Sequence, residues 1–219
     1  MFLHRPIGNT MSLASLIAAW SSVGGRSQTQ TKPTTTIVGI DGPAGAGKSS
    51  LCSALAAIDS AIAIVHMDDF FVPPTLRVAP DEEVGRQIDW RLVINQVVAL
   101  LANGLPGHYQ RFDWATYALQ EWHDVPTGGI VLLDGVYSTR EEISPFLAQR
   151  IWVTVPRDLG LQRGIDRDGE KSRDWWMTDW VEDEDRYILM DRPEDLADVV
   201  IDGTRGLEHF QRGEYVRVR

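Results

Sequence analysis

The 219-residue chain has a single cysteine, Cys52. An intramolecular disulfide is therefore excluded and a cysteine-built zinc site is implausible, which fits a reducing compartment and makes the cytoplasm the expected location. Positive charge is also scarce. Against 31 Asp and Glu stand 21 Lys and Arg, for a formal charge of −10, and that averaged field repels nucleic-acid backbones and anionic membranes. Neither is expected as a partner. No apolar run approaches the ~20 residues that span a bilayer. The run Leu13 to Trp20 near the N-terminus is brief and ends in a bulky residue where a signal peptidase prefers small ones, which argues against export.

What is present is ordinary globular composition, with 43% hydrophobic and 24% charged residues, at a length that suits one domain. Residues 24 to 34, Gly-Gly-Arg-Ser-Gln-Thr-Gln-Thr-Lys-Pro-Thr, read as a polar linker after a short helix over 12 to 22. The expected division is thus 1–34, an N-terminal helix and linker, and 35–219, the folded domain. Within the latter, Thr35 to Ile40, Ala61 to His66, Gly129 to Asp134, Arg150 to Val155 and Asp198 to Asp202 read as five buried strands. Helical patterns lie over Lys48 to Ile58, Trp90 to Ala102, Leu159 to Arg167 and Asp174 to Met190. Strands alternating with helices imply crossover connections, hence an α/β fold with a doubly wound parallel five-stranded sheet and helices on both faces. Ligands of such sheets sit at the C-terminal strand ends.

The strand Ile37 to Asp41 runs directly into Gly42-Pro-Ala-Gly45-Ala-Gly47-Lys48-Ser49, which matches G-x-x-x-x-G-K-[S/T], the P-loop pattern, with a helix following at once. The chemistry needs each part. Glycines let backbone N–H groups face phosphate, and the helix N-terminus adds positive potential. Lys48 reaches the β and γ oxygens, and the Ser49 hydroxyl can ligate Mg²⁺. Gly42, Ala44, Gly45, Ala46, Gly47, Lys48, Ser49 and Ser50 are therefore the candidate nucleotide contacts. Cys52, one turn into the helix, reads as a small core residue.

Carboxylates stand at two further strand ends. Val65-His66-Met67-Asp68-Asp69 places a pair where a base for an acceptor hydroxyl belongs, the competing reading being turn caps. His66 reads as a packed strand residue. Asp134, after four aliphatics and before Gly135, fits an acid that holds Mg²⁺ directly or through water, against a plain strand-end turn. A basic cluster, Arg163, Arg167, Lys171 and Arg173, is either a lid over triphosphate oxygens or a charged helix surface with local ion pairs.

Taken in order, Gly42 to Ser49, Asp68-Asp69-Phe70-Phe71, Asp134-Gly135 and Arg163 to Arg173 resemble the uridine kinase and phosphoribulokinase family of P-loop kinases over about residues 35 to 204. The resemblance implies a nucleoside-kinase-like P-loop fold, ATP and Mg²⁺ as cofactors, and a small-molecule hydroxyl acceptor. It implies Asp68 as the base, with Asp69 in the variable position, and Ser49 and Asp134 as metal ligands. Lys48 and Arg167 would be catalytic, and Arg163, Arg167 and Arg173 would bind phosphate. Asp68, Phe71, Asp89, Tyr109, Phe112 and Asp113 would surround the acceptor. Uridine itself is not implied, because no His-Ser-Arg follows Asp113; the sequence there is Trp114-Ala-Thr-Tyr117. Tyr109, Phe112, Trp114, Tyr117 and Trp122 either stack a planar acceptor or form a satellite cluster, whereas Trp176, Trp180 and Tyr187 read as core. A nucleoside or similar molecule is the expected acceptor. The alternatives are a nucleoside-triphosphate hydrolase or switch, disfavoured because Asn-Lys-x-Asp and Leu-Ser-Gly-Gly are both missing, and a kinase for a mononucleotide. A homo-oligomer is left open.

Overall fold

The computed structural model describes residues 8–24, 34–78, 83–175 and 180–219. Strands β2 (Thr35–Asp41), β3 (Ala63–His66), β6 (Gly129–Asp134), β7 (Gln149–Thr154) and β8 (Val199–Asp202) pair in parallel, in the spatial order β3-β6-β2-β7-β8. These are the five expected strands. Among the described residues the sheet has seven. β9 (Glu214–Arg217) extends it antiparallel beside β8, and β1 (Asn9–Ser12) adds to β9 in the register Asn9↔Arg217 to Ser12↔Glu214. A separate antiparallel hairpin joins β4 (Gly107–Asp113) to β5 (Ala118–Val125).

The pleat sorts the apolar runs into two layers, as strand geometry requires. Val38, Ile40, Leu132, Ile151 and Val153 point to one face, under α1 (Leu13–Gly24) and α2 (Lys48–Ile58), with Leu13, Leu16, Trp20, Leu51 and Leu55 completing that cluster. Ile37, Val131, Leu133, Trp152 and Val200 point to the other, where they meet Val93, Val97 and Leu101 of α3 (90–102) and Tyr187 of α5 (Val181–Asp191). α4 (Arg157–Asp168) follows β7, and α6 (Gly206–Gln211) follows β8.

Residues 9–24, which the polar linker sets apart from the rest of the chain in sequence, thus join the same sheet and core, and the Trp20 indole N–H donates to Gln149 at 2.7 Å. β3 begins at Ala63 rather than Ala61, because α2 needs the turn Asp59–Ile62, closed by Ile62 N–H to Asp59 O, to reverse the chain. The helix expected from Asp174 is seen as a single turn, Arg173–Trp175, and as α5; Trp176 lies outside the described residues. Trp180 and Tyr187 are buried in the core. No helix among the described residues is long and apolar enough to cross a membrane.

Candidate active site

A cleft of about 460 Å³ opens at the C-terminal ends of β2, β3 and β6, and Lys48, Ser49, Asp68, Asp134 and Arg167 all line it. Its floor is the loop between β2 and α2. Gly47 caps α2 with φ 97° and leaves the helix without a side-chain cap, so first-turn N–H groups stay unclaimed by side chains. Gly45 has φ +73°, and a Cβ there would run into the Gly160 carbonyl of α4. The conformation and the close approach both require glycine. Lys48 Nζ donates to the carbonyls of Gly42 at 2.7 Å and Pro43 at 3.0 Å.

One turn of 3₁₀ helix, Met67–Phe70, separates the two adjacent acids. Asp68 faces the cleft. Although the residue is exposed at the cleft, the protein packed around it and Asp134 raise its carboxyl, with Lys48 and Arg167 opposing. Asp69 turns into the core and accepts the Tyr109 hydroxyl proton at 2.8 Å.

Asp134 is buried. Its Oδ2 lies 2.9 Å from His66 Nδ1, and its Oδ1 has no hydrogen-bond partner. An orphaned buried carboxylate oxygen in the same cleft as the Ser49 hydroxyl is a hard-oxygen donor set of the kind Mg²⁺ takes, with phosphate and water supplying the rest. Among the described residues no three His, Cys, Asp or Glu side chains gather into a cage. The residues present fit the cation.

The three arginines diverge. Arg163 lines the cleft but spends its guanidinium on the carbonyls of Gly45, Gly203 and Thr204, at 3.2, 2.9 and 2.6 Å. It braces the loop against the segment after β8. Arg167 pairs with Asp168 at 2.7 Å while lining the cleft. Arg173 pairs with Glu170 and does not line it.

No family model matches the chain. A stretch of 138 residues, 62% of the chain, is 26% identical to inorganic pyrophosphatase TTM1 of Arabidopsis thaliana and covers 21% of it. A stretch of 134 residues, 60% of the chain, is 24% identical to uridine-cytidine kinase C of Dictyostelium discoideum and covers 30% of it. The chain therefore spans less than a third of the length of these curated relatives. A protein described as a possible uridine kinase from Bacillus stearothermophilus superposes with a TM-score of 0.61 over 86% of this chain and 96% of that one, at 21% identity. The chain shares that α/β fold, with the phosphate-binding loop between β2 and α2.

Of the residues matched to an acceptor, Asp68 lines the cleft, whereas Phe71, Asp89, Tyr109, Phe112 and Asp113 are not among its lining. Asp89 N–H donates to Phe70 O at 2.8 Å, a bridge pairs Phe71 with Ile88, and the Asp89 carboxylate caps α3 through Leu92 N–H. Phe71 packs 4.1 Å from Trp114 and 5.1 Å from Phe112, with Tyr117 5.3 Å from Phe112 and Arg77 over the Phe71 ring. Trp122 stands apart, stacked on His108, and Tyr109 packs on Phe70. Asp113 closes the hairpin turn, accepting from Thr116 N–H and hydroxyl and from Arg111. These bonds hold its carboxyl below the usual range.

Sequence reasoning missed three groups. His66, read as packed, is half-exposed in the cleft. Asp41, buried at the end of β2, accepts from Gly42 N–H, Tyr137 N–H, Thr139 N–H and hydroxyl, and the Tyr187 hydroxyl. It ties the phosphate-binding loop to the turn after β6 and to α5. Glu184 of α5, also buried, accepts the Ala44 N–H at 2.8 Å.

Burial pushes Glu184 up to about 7 against Lys48 and the Ala44 N–H, with Asp185 and Asp41 adding to the rise. The folded chain thus holds this proton more tightly than the unfolded chain, whose value is 4.5. The contribution is full below that value and is lost as pH climbs through about 7, on the order of 3 kcal/mol in all. Glu184→Gln keeps an acceptor for Ala44 and removes the titration. Urea unfolding should show it more stable than wild type at pH 8, with little difference at pH 4.5. An unchanged pH slope would assign the titration elsewhere.

Proposed function

We propose that the chain is a phosphotransferase that moves the γ-phosphoryl group of ATP onto a hydroxyl of a small molecule, a nucleoside or another ribose-like compound. The observation that carries this reading is the convergence of Lys48, Ser49, Asp68, Asp134 and Arg167 on one cleft. Lys48 and the loop amides hold the phosphates. Ser49 and Asp134 would hold Mg²⁺, which when bound neutralises β- and γ-phosphate charge. Asp68 takes the proton of the acceptor hydroxyl as its oxygen bonds to the γ-phosphorus, the bond to the β–γ bridging oxygen breaks, and ADP leaves. Arg167 offsets charge on the transferring group. Most of the acceleration is positioning and electrostatics.

The acceptor class follows from charge. Arg91 and Arg111 are the only Lys or Arg between Asp89 and Asp134, and Arg111 is bound to Glu121 and Asp113. A mononucleotide would bring about two negative charges beside Asp89, where this interval offers only these two arginines; Arg77 over Phe71 and Arg167 in the cleft are cations outside it. Asp89 suits a sugar hydroxyl, and the exposed faces of Trp114 and Tyr117 suit a planar or apolar portion. A coupled ADP-release screen of nucleosides, sugars, vitamin alcohols and mononucleotides, with mass detection of the added phosphate, tests this. A neutral hydroxyl compound should stimulate turnover. Stimulation by mononucleotides alone overturns the acceptor class, and basal hydrolysis that no compound accelerates overturns the phosphotransfer reading in favour of a hydrolase.

A further inference from the structure

The phosphotransfer reading leaves His66 without a task. It ends β3 directly opposite Asp134 in the parallel register with β6, so both side chains emerge on the same face of the sheet. The His66 side chain is 50% exposed and that of Asp134 is 1% exposed. The two Asp134 oxygens are treated differently: Oδ2 meets His66 Nδ1 at 2.9 Å, while buried Oδ1 makes no hydrogen bond, the buried Cys52 thiol being the other side chain that acts on this carboxylate.

We infer that His66 is a positioning residue for the divalent cation: by donating Nδ1–H to Oδ2 it locks the rotation of the Asp134 carboxylate and leaves Oδ1 as its metal-directed oxygen. This rests on the phosphotransfer reading of the cleft. A carboxylate rotates easily about its terminal torsion, which is broad and two-fold, and Asp134 shares the cleft with a second acid, Asp68. Without His66 the remaining side chain acting on the Asp134 carboxylate is the Cys52 thiol, a weak donor that directs it poorly. An imidazole supplies one directed hydrogen bond without the fixed ammonium charge of a lysine, which would compete with the cation. Partners of this kind orient ligating carboxylates, and losing one typically costs about 10- to 100-fold in metal affinity.

The test is Mn²⁺ binding, read as loss of the free-ion EPR signal, in the presence of a non-hydrolysable ATP analogue. Wild type is compared with His66→Ala, His66→Asn and Asp134→Asn, each checked by near-UV circular dichroism for an intact fold. His66→Ala should bind Mn²⁺ about 10- to 100-fold more weakly. His66→Asn, which retains an N–H donor near the Nδ1 position but cannot carry a proton at neutral pH, should recover most of that loss. Equal affinity in wild type and His66→Ala, or no recovery in His66→Asn, overturns the inference and leaves the phosphotransfer reading standing. If Asp134→Asn binds Mn²⁺ as wild type does, or wild type binds none, the metal placement in that reading fails and the role of His66 fails with it.

Discussion

Asp68→Asn should lower kcat by about 10²- to 10⁴-fold, the usual cost of losing a general base, while nucleotide affinity is nearly kept. Asp69→Asn should be far milder. The turn at Met67–Phe70 gives the two acids opposite surroundings. Asp68 stands in the cleft within the fields of Lys48, Asp134 and Arg167, whereas Asp69 is committed to the Tyr109 hydroxyl. An asparagine at 69 can still accept that proton, so the hairpin stays anchored, but one at 68 cannot take a proton from an acceptor. The raised carboxyl of Asp68 adds a second signature. The base is lost as pH falls through its folded value, so the acidic limb of the rate profile lies above the 3.8 of an ordinary aspartate and should vanish in Asp68→Asn. Steady-state kinetics on both variants decides it. The reverse ranking would make Asp69 the base and shift the alignment of this turn by one residue.

The parts of this arrangement that were legible in the sequence are those whose signal is contiguous. Strand, glycines, lysine and helix succeed one another from Ile37 to Ile58, and the runs Ile130–Leu133 and Ile151–Val153 carry the pleat alternation that the two core layers require. What was not legible depends on partners far away in the chain. β1 is Asn-Thr-Met-Ser, short and polar, and exists as a strand only because β9 lies beside it some 200 residues later. Asp41 reads as the last residue of a strand until donors from 137, 139 and 187 arrive. His66 acquires a role only through the register of β3 with β6, and Glu184 only because α5 folds back over Ala44. The arginine spacing identified a cluster but not its division: Arg163 turns to backbone carbonyls, Arg167 to the cleft and Arg173 to Glu170. Long side chains choose partners by tertiary placement, which spacing alone does not encode.

Lys48→Ala should lower phosphotransfer by on the order of 10²-fold or more, since a positioned cation acting on transition-state charge is worth that much in a water-poor site. The lysine is mostly buried, yet its ammonium bonds to the carbonyls of Gly42 and Pro43 rather than to a carboxylate. Truncation therefore leaves no buried acid newly stripped of an ion pair, and the fold should survive. Its field, however, reaches three carboxylates: Lys48 acts to lower the pKa of Asp41, Asp68 and Glu184. Removing it lets all three rise further. Acids whose folded-state values rise destabilise the folded chain increasingly as pH increases, here chiefly through buried Asp41 and Glu184, so Lys48→Ala should lose more stability relative to wild type at pH 8 than at pH 5. The acidic limb of its residual rate should also move to higher pH. Lys48→Arg should restore the charge and the stability profile but not the rate, because a planar fork does not place a point charge where the ammonium sits. Turnover with the best acceptor, paired with urea melts at both pH values, separates the outcomes. A folded Lys48→Ala protein with wild-type turnover would remove the phosphate-binding loop from the mechanism. An equal loss of stability at the two pH values would mean that the lysine does not govern the buried acids around it.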